Sequence, residues 1–217
     1  MTNNPPPGIK VAPATTVNTD NYESLLGHEA WARLHPEIRS RFCATHAHKT
    51  VLYRGVMQQV SMSLMGYLLA HLCRTIGTPL ALYSGRDVPV DVHVYANDKL
   101  GGMTWDRHYY FKNKKVNRVK STKCITATSG LIEVVGSGFG MYLKISECNG
   151  ALCFDSTRFF FTFGNKKIPI PHLLTPGHTQ VTQTALEHGE FQFKLEVRHP
   201  LLGLVFFQQG NFSEAEN

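Results

Sequence analysis

The chain has 217 residues, which is enough for one domain with a sizeable hydrophobic core. Hydrophobic residues make up 42% of the sequence and charged residues 18%, a composition that excludes wholesale disorder. No apolar run reaches the roughly 18 residues of a membrane-spanning helix, and residues 1–10 lack the apolar core of a secretory signal. The five cysteines are odd in number and form no Cys-x-x-Cys pair, which favours reduced thiols and a cytoplasmic location.

The predicted elements begin after a tail rich in Pro and Asn. Residues 1–18 are predicted to be disordered, and residues 19–213 to form a single domain. From Tyr22 to Phe42 apolar residues recur at three-to-four spacing, which is the period of a helix. Pro36 interrupts this run, so the pattern predicts two short helices rather than one.

An extended segment over residues 48–60 is predicted to lead into a helix over 61–76. Ser61 is suited to be its N-cap, and Gly77-Thr78-Pro79 would end it. This helix is apolar on most sides. It could line a pocket beneath a sheet, although a plain core helix is the favoured interpretation.

Beyond Val88 the apolar residues alternate with polar ones, as in strands that bury one face. Glycine-containing linkers without intervening helices separate the strands, as is typical of antiparallel hairpins. The alternating segments lie at 88–94, 104–111, 131–135, 141–145, 152–163, 191–198 and 204–212. The predicted fold class is therefore α+β, with N-terminal helices followed by a strongly curved antiparallel sheet. That sheet would be a meander forming a partial barrel packed on the helix at 61–76.

Several strand and loop motifs together resemble an uncharacterised bacterial family, a domain of unknown function. The resemblance covers roughly Trp31 to Phe212, and its most distinctive part is the C-terminal run 191–203. The other motifs are Gly77-Thr-Pro-Leu through Val90, Trp105-x-Arg107-x-x-x-Phe111, Arg118-x-x-Ser121 and Lys167-Ile-Pro-Ile-Pro171. The resemblance implies a module found alone or fused C-terminal to a saccharopine-dehydrogenase-like reductase, with no agreed activity. The chain departs from the family at 208–212, where many relatives carry Tyr-x-Gly-Trp.

Part of the net charge of +6 comes from a stretch without acidic residues between Arg107 and Lys123. Such a stripe could meet phosphates, an anionic head group or an acidic partner. A solvated hairpin with its aromatic face turned inward is favoured, because period two sends Trp105, Tyr109 and Phe111 to one side. Because no nucleic-acid-binding motif accompanies the charge, we predict no nucleic-acid partner.

Arg107 is the most informative residue of this stretch. Alternation places it on the same side as Trp105 and Tyr109, and an unpaired cation among aromatic rings is costly to bury. The guanidinium must therefore pair with a carboxylate such as Glu133 or Asp155, stack on a ring, or face a cavity that receives an anionic or polar ligand. The ion pair and the ligand clamp are left as equal alternatives.

The sequence predicts no cofactor and no metal. Gly136-Ser-Gly-Phe-Gly140 lacks the glycine spacing and the following helix of a dinucleotide fingerprint, and no P-loop is present. His46 and His48 could point to one side of a strand as a metal pair does, but no third ligand stands at suitable spacing.

His199 is the candidate for acid–base chemistry. It follows Val197 on the apolar side of its strand and precedes Pro200, a place at the rim of a cavity. A structural histidine is the favoured alternative. Arg158 is a second candidate for orienting a ligand beside Arg107.

Three functions from different classes follow. The first is a module that binds a lipid-like or other hydrophobic small molecule between the sheet and the helix at 61–76, oriented by Trp105, Arg107, Tyr109 and Arg158. The second is a cofactor-independent enzyme, a cyclase, isomerase or hydrolase that uses the same cavity. The third is an interaction domain for a separate reductase. A membrane contact through 166–177 is a weaker alternative to an ordinary packed crossover loop.

Overall fold

The computed structural model describes residues 21–43, 50–72, 80–126, 129–164 and 166–215. The tail predicted at 1–18 and the pair His46 and His48 lie outside the described residues. The helices are α1 (Asn21–Leu26), α2 (His28–Arg33), α3 (Pro36–Phe42) and α4 (Leu64–Leu72). The strands are β1 (Val51–Met62), β2 (Gly85–Asn97), β3 (Gly102–Tyr109), β4 (Asn117–Thr126), β5 (Gly130–Gly136), β6 (Phe139–Cys148), β7 (Ala151–Phe163), β8 (Lys166–Ile170), β9 (His178–Ala185), β10 (Phe191–His199) and β11 (Gly203–Glu214).

The strands close into an antiparallel β-barrel. β1 pairs with β2 on one edge and with β11 on the other, and β6 pairs with β7 along most of its length. The order of strands in the closed ring is therefore β1-β2-β3-β4-β5-β6-β7-β9-β10-β11. β8 lies outside the ring and pairs with β7. Closure follows from strand twist, because a long twisted sheet curls until its first and last strands can pair.

The predicted α+β class was wrong: the described residues form mainly strands, with eleven strands against four short α-helices, although the antiparallel pairing that it assumed is confirmed. The barrel is closed rather than partial, because β11 completes the ring against β1. The barrel is also not packed on the helix predicted at 61–76: β1 continues to Met62, α4 starts at Leu64, and Leu64 and Leu68 of this helix are exposed. Its N-cap is Ser63 instead of Ser61, and the Ser63 hydroxyl accepts a hydrogen bond from Gly66 N–H at 3.0 Å.

The helices α1–α3 close the end of the barrel at which β1 begins and β11 ends, called here the helical end. Pro36 starts α3 where the sequence predicted a break, and His35 N–H donates to Gly150 O in the β6–β7 turn at 3.0 Å. Phe42 enters the barrel, with its ring 6.1 Å from Trp105 and 5.7 Å from Phe154. Burying one such ring contributes about 1.5–3 kcal/mol to the free energy of folding, which stabilises α3 against the end of the barrel.

The opposite end of the barrel is called here the α4 end. It contains α4, the β3–β4 loop at 110–116 and the β10–β11 turn at 200–202, because β1 and β10 end there and β4 and β11 begin there. Ser63 N–H donates to Val205 O at 3.1 Å, which attaches the start of α4 to β11. In the described residues no helix combines the length and hydropathy that crossing a bilayer requires.

Candidate ligand-binding interior of the barrel

The interior of the barrel is mostly apolar, with a few buried polar side chains such as Ser121 and Gln208 and a small charged group. Large side chains from several strands fill it: Tyr109, Phe154, Phe206, Met57, Val90 and Val197 are almost completely buried. Among them lie three charged residues, Arg107 from β3, Lys123 from β4 and Glu133 from β5, called here the interior charge cluster. These strands are neighbours, and each residue takes an inward position of its alternation.

The ion pair of the cluster joins Lys123 and Glu133. Lys123 Nζ lies 3.1 Å from Glu133 Oε1, and both side chains are buried. The ammonium also lies near two aromatic faces, 5.8 Å from the Trp105 ring centroid and 5.4 Å from that of Phe154. Lys123 is therefore held by both a carboxylate and rings.

Arg107 is buried beside this pair without a carboxylate of its own. Its Nη1 donates a long hydrogen bond of 3.5 Å to Ser121 Oγ, and its guanidinium carbon lies 5.7 Å from the Phe193 ring centroid. Within the described part of the chain Arg107 takes part in no salt bridge, and it keeps only 8% of its surface exposed. The interior charge cluster thus holds two cations and one anion.

The pKa values of the pair record this imbalance. Burial alone would raise the pKa of Glu133, but the charges of Lys123 and Arg107 outweigh it and hold the pKa below its ordinary value. Burial lowers the pKa of Lys123, Glu133 opposes this shift, and the neighbouring Arg107 lowers it further. The carboxylate is stabilised as an anion, whereas the ammonium is in a costly place.

A neutral hydrogen bond lies inside the barrel towards the α4 end. Tyr109 donates its hydroxyl to Gln208 Oε1 at 3.0 Å, and both side chains are buried. Burial raises the pKa of Tyr109, while the charge of Arg107 opposes that shift, so the phenol stays neutral.

His199 is buried near the α4 end and uses both ring nitrogens towards the backbone. Leu201 N–H donates to Nδ1 at 3.2 Å, which leaves the proton on Nε2, and Nε2 faces Leu173 O at 3.4 Å. The imidazole therefore connects the β10–β11 turn to the loop before β9. This arrangement fits a structural role, and the acid–base role of His199 stays a prediction.

Arg158, the other predicted ligand residue, lies away from the interior charge cluster. Its side chain is exposed, and its guanidinium carbon is 6.0 Å from the Tyr142 ring centroid. The β6–β7 pairing contains a bulge between Tyr142 and Leu143. At this bulge the alternation of inward and outward side chains along β7 shifts, so Arg158 faces outward. The structure therefore brings Trp105, Arg107 and Tyr109 together on β3 and leaves Arg158 on the outer surface.

Sequence reasoning missed Lys123 and Gln208. Lys123 was counted with a solvated basic stripe, although Val119, Ser121 and Ile125 share its side of β4. That alternation indicates that Lys123 faces inward, but a lysine at an inward position makes the pattern hard to recognise. Gln208 gave no signal, because two consecutive phenylalanines followed by two glutamines do not show which glutamine faces inward.

A pocket of about 180 Å³ lies at the helical end, between α3 and the barrel rim. Its lining residues are Glu37, Ser40, Arg41, Tyr53, Gly189 and Glu214. Arg41 lies over the Phe191 ring at 3.7 Å, and burial lowers the pKa of its guanidinium. This pocket differs from the cavity that the sequence predicted, which was to lie between the sheet and residues 61–76.

Comparison with known proteins agrees with the extent of the barrel. A curated relative, "Uncharacterized protein YndH" of Bacillus subtilis (strain 168), is 25% identical over 195 residues, which cover 84% of this chain and 92% of the relative. The family model described as "Domain of unknown function (DUF4166)" matches residues 34–212, from the start of the α3 region to the last strand. Since that match includes most of the chain and all of the barrel except the last two residues of β11, the protein belongs to the family of the domain of unknown function DUF4166.

Proposed function

We propose that the barrel binds a hydrophobic small molecule with one anionic group, such as a carboxylate or a phosphate ester, in its interior. Arg107 would bind the anionic group with support from Lys123. The apolar part would lie among the aromatic and aliphatic side chains around it, including Trp105 and Tyr109. Closed barrels of this size commonly hold one small ligand in this way.

The observation that carries the proposal is the excess positive charge in the interior charge cluster. Two buried cations share Glu133, and Arg107 has a single long hydrogen bond to Ser121. A guanidinium has five N–H donors in a rigid fork that fits a carboxylate or phosphate. One carboxylate neutralises only one of the two cations, whereas an anionic ligand would bring the cluster to neutrality.

Side chains would have to move for the ligand to bind. Phe154, Phe206 and Tyr109 are nearly inaccessible, so an acyl chain would displace ring contacts rather than occupy open space. Trp105 lies within 6 Å of the ammonium of Lys123, which makes it an optical reporter of that change. Trp31, the second tryptophan, belongs to α2, so a Trp31→Phe background isolates the Trp105 signal.

The test is a fluorescence titration with a fluorescent fatty acid and, in parallel, with its methyl ester. The protein should bind the acid more tightly than the ester, and Arg107→Met should weaken binding of the acid roughly tenfold or more while leaving the ester unchanged. Arg158→Met is the matched control, because Arg158 is exposed on the outer surface. Native mass spectrometry of the purified protein should also detect a co-purifying anionic lipid.

The stability of Arg107→Met separates a binding residue from a structural one. If Arg107 serves a ligand, its removal should leave or raise the free energy of unfolding, because a buried excess cation is lost. Failure of the protein to bind either probe, or equal weakening of acid and ester, would overturn the proposal.

The two other functions considered from the sequence stay predictions. A cofactor-independent enzyme requires that Arg107→Ala and His199→Ala abolish turnover of a substrate while the protein stays folded. An interaction domain for a reductase requires that a reductase is recovered with the purified chain. The interior charge cluster favours the binding module over both, because neither needs an excess of buried positive charge.

A further inference from the structure

Exposed leucines are concentrated at the α4 end of the barrel. On α4, Leu64 is 77% exposed and Leu68 is 52% exposed. The β10–β11 turn presents Leu201 at 76%, and the 3-10 turn before β9 presents Leu174 at 77%. Single exposed leucines are ordinary on a soluble protein, but several from three neighbouring segments form an apolar surface that needs an explanation.

Hydrogen bonds place the three segments side by side. Ser63, at the start of α4, donates its N–H to Val205 O of β11, close to the β10–β11 turn. His199 links the other two segments, since one ring nitrogen faces Leu173 O and the other accepts from Leu201 N–H. The leucines therefore share one end of the barrel, and we call this set the leucine surface: Leu64, Leu68, Leu173, Leu174, Leu201 and Leu202.

A basic loop lies at the same end. The loop between β3 and β4 holds Lys112, Lys114 and Lys115, all exposed, and has no acidic residue over 110–116. Its position is set by Tyr110 N–H, which donates to Pro89 O in the first half of β2 at 3.0 Å. That part of β2 pairs with the end of β1 that leads into α4.

We propose that the α4 end docks on the surface of an anionic lipid bilayer. The lysines would contact anionic head groups while the leucine surface enters the boundary between head groups and acyl chains, the arrangement of interfacial membrane binders. The charge pattern favours lipid over a second copy of this chain. A symmetric dimer through this end would bring two Lys112–Lys115 loops towards each other, and like charges would oppose it.

This inference goes beyond ligand binding in the interior and does not depend on it. The leucine surface and the basic loop are external, and none of their residues belongs to the interior charge cluster. Vesicle binding can therefore fail while the fatty-acid titration succeeds, and the reverse also holds.

The experiment is co-sedimentation of the full chain with vesicles of equal parts phosphatidylcholine and phosphatidylglycerol, and with pure phosphatidylcholine vesicles. Binding should require phosphatidylglycerol and weaken as salt is raised. Replacing Lys112, Lys114 and Lys115 with Ala should weaken it roughly a hundredfold, given about fivefold per lysine. Leu64→Ser with Leu68→Ser should also weaken binding while the thermal midpoint stays unchanged, because both positions are exposed.

Matched controls lie at the helical end. Lys99→Ala and Leu100→Ser change an exposed lysine and an exposed leucine in the β2–β3 turn and should leave vesicle binding unchanged. No binding to anionic vesicles, or equal loss in the control variants, would overturn the proposal. A dimer in light scattering that Leu64→Ser with Leu68→Ser dissociates would also overturn it, in favour of a second copy.

Discussion

Glu133→Gln is expected to destabilise the protein strongly, because it removes the anion of the interior charge cluster and keeps its volume. Losing one partner of a buried ion pair costs about 3–5 kcal/mol. The part of this cost that comes from Lys123 has an upper limit, because the lysine can release its proton and become neutral. From an ordinary pKa of 10.5, a neutral lysine costs about 5 kcal/mol at pH 7 and about 2 kcal/mol at pH 9.

The pH dependence of Glu133→Gln therefore has a definite sign. The unfolded variant carries a protonated lysine that the folded variant prefers to deprotonate, so unfolding takes up a proton and stability rises with pH. The slope should reach up to about 1.4 kcal/mol per pH unit below the ordinary lysine pKa. The pKa of Lys123 is already lowered by burial in the wild-type protein, which is the same effect at smaller size.

Lys123→Met should cost less than Glu133→Gln. Without the ammonium, Glu133 still has Arg107 near it, and the charge of Arg107 already helps to hold the pKa of this carboxylate down. Without the carboxylate, two cations remain. The double variant should be more stable than Glu133→Gln alone, because it removes the uncompensated ammonium.

Urea unfolding at pH 6, 7, 8 and 9 measures these differences. Glu196→Gln is the control, since Glu196 forms surface pairs with Lys194 and Arg198 and its loss should cost about 1 kcal/mol or less. The reasoning is refuted if Lys123→Met costs as much as Glu133→Gln, or if the cost of Glu133→Gln does not fall with pH.

Three further substitutions test other contacts. His199→Ala should cost about 0.5–1.5 kcal/mol in urea unfolding, because the part-buried hydrogen bond from Leu201 N–H to the imidazole is lost; an unchanged midpoint would argue against the structural role. Burial would raise the pKa of Asp106, but Arg118, whose Nε donates to it at 2.7 Å, holds the pKa below its ordinary value. The carboxylate thus stabilises the fold at pH values above its unfolded pKa, and this contribution is lost as the pH falls through the folded pKa. The free energy of unfolding of Asp106→Asn should therefore approach that of the wild type in acid. A difference between the two that does not change with pH would contradict this. Gly66→Ala would place a Cβ 1.9 Å from a β11 carbonyl, so faster proteolysis at α4 is expected, and unchanged cleavage would show that the helix adapts.

The antiparallel strands could be predicted where apolar residues take the inward positions. In β10, Phe191, Phe193 and Val197 alternate with polar residues, and the strand lies where the pattern predicted it. In β9, Thr179 and Gln183 point to the buried side with Val181 between them. Polar residues at inward positions remove the contrast, so this strand was missed.

Closure of the barrel could not be predicted from local patterns. It depends on pairing between β1 and β11, in which Tyr53 pairs with Glu214. These two residues are separated by most of the sequence, and no turn motif specifies such a contact. The interior charge cluster was hidden for a related reason. Arg107 stands out because its neighbours in β3 are aromatic, but Lys123 shares its strand with two exposed cations, Arg118 and Lys120.

A closed ring has no unpaired strand edge, so only β8 offers one among the described strands. That strand is five residues long. It contains Pro169, which lacks an N–H, and two lysines, Lys166 and Lys167. A foreign β-strand would find few backbone donors there and would meet positive charge. The barrel is thereby protected against edge-to-edge aggregation at concentrations where open sheets associate.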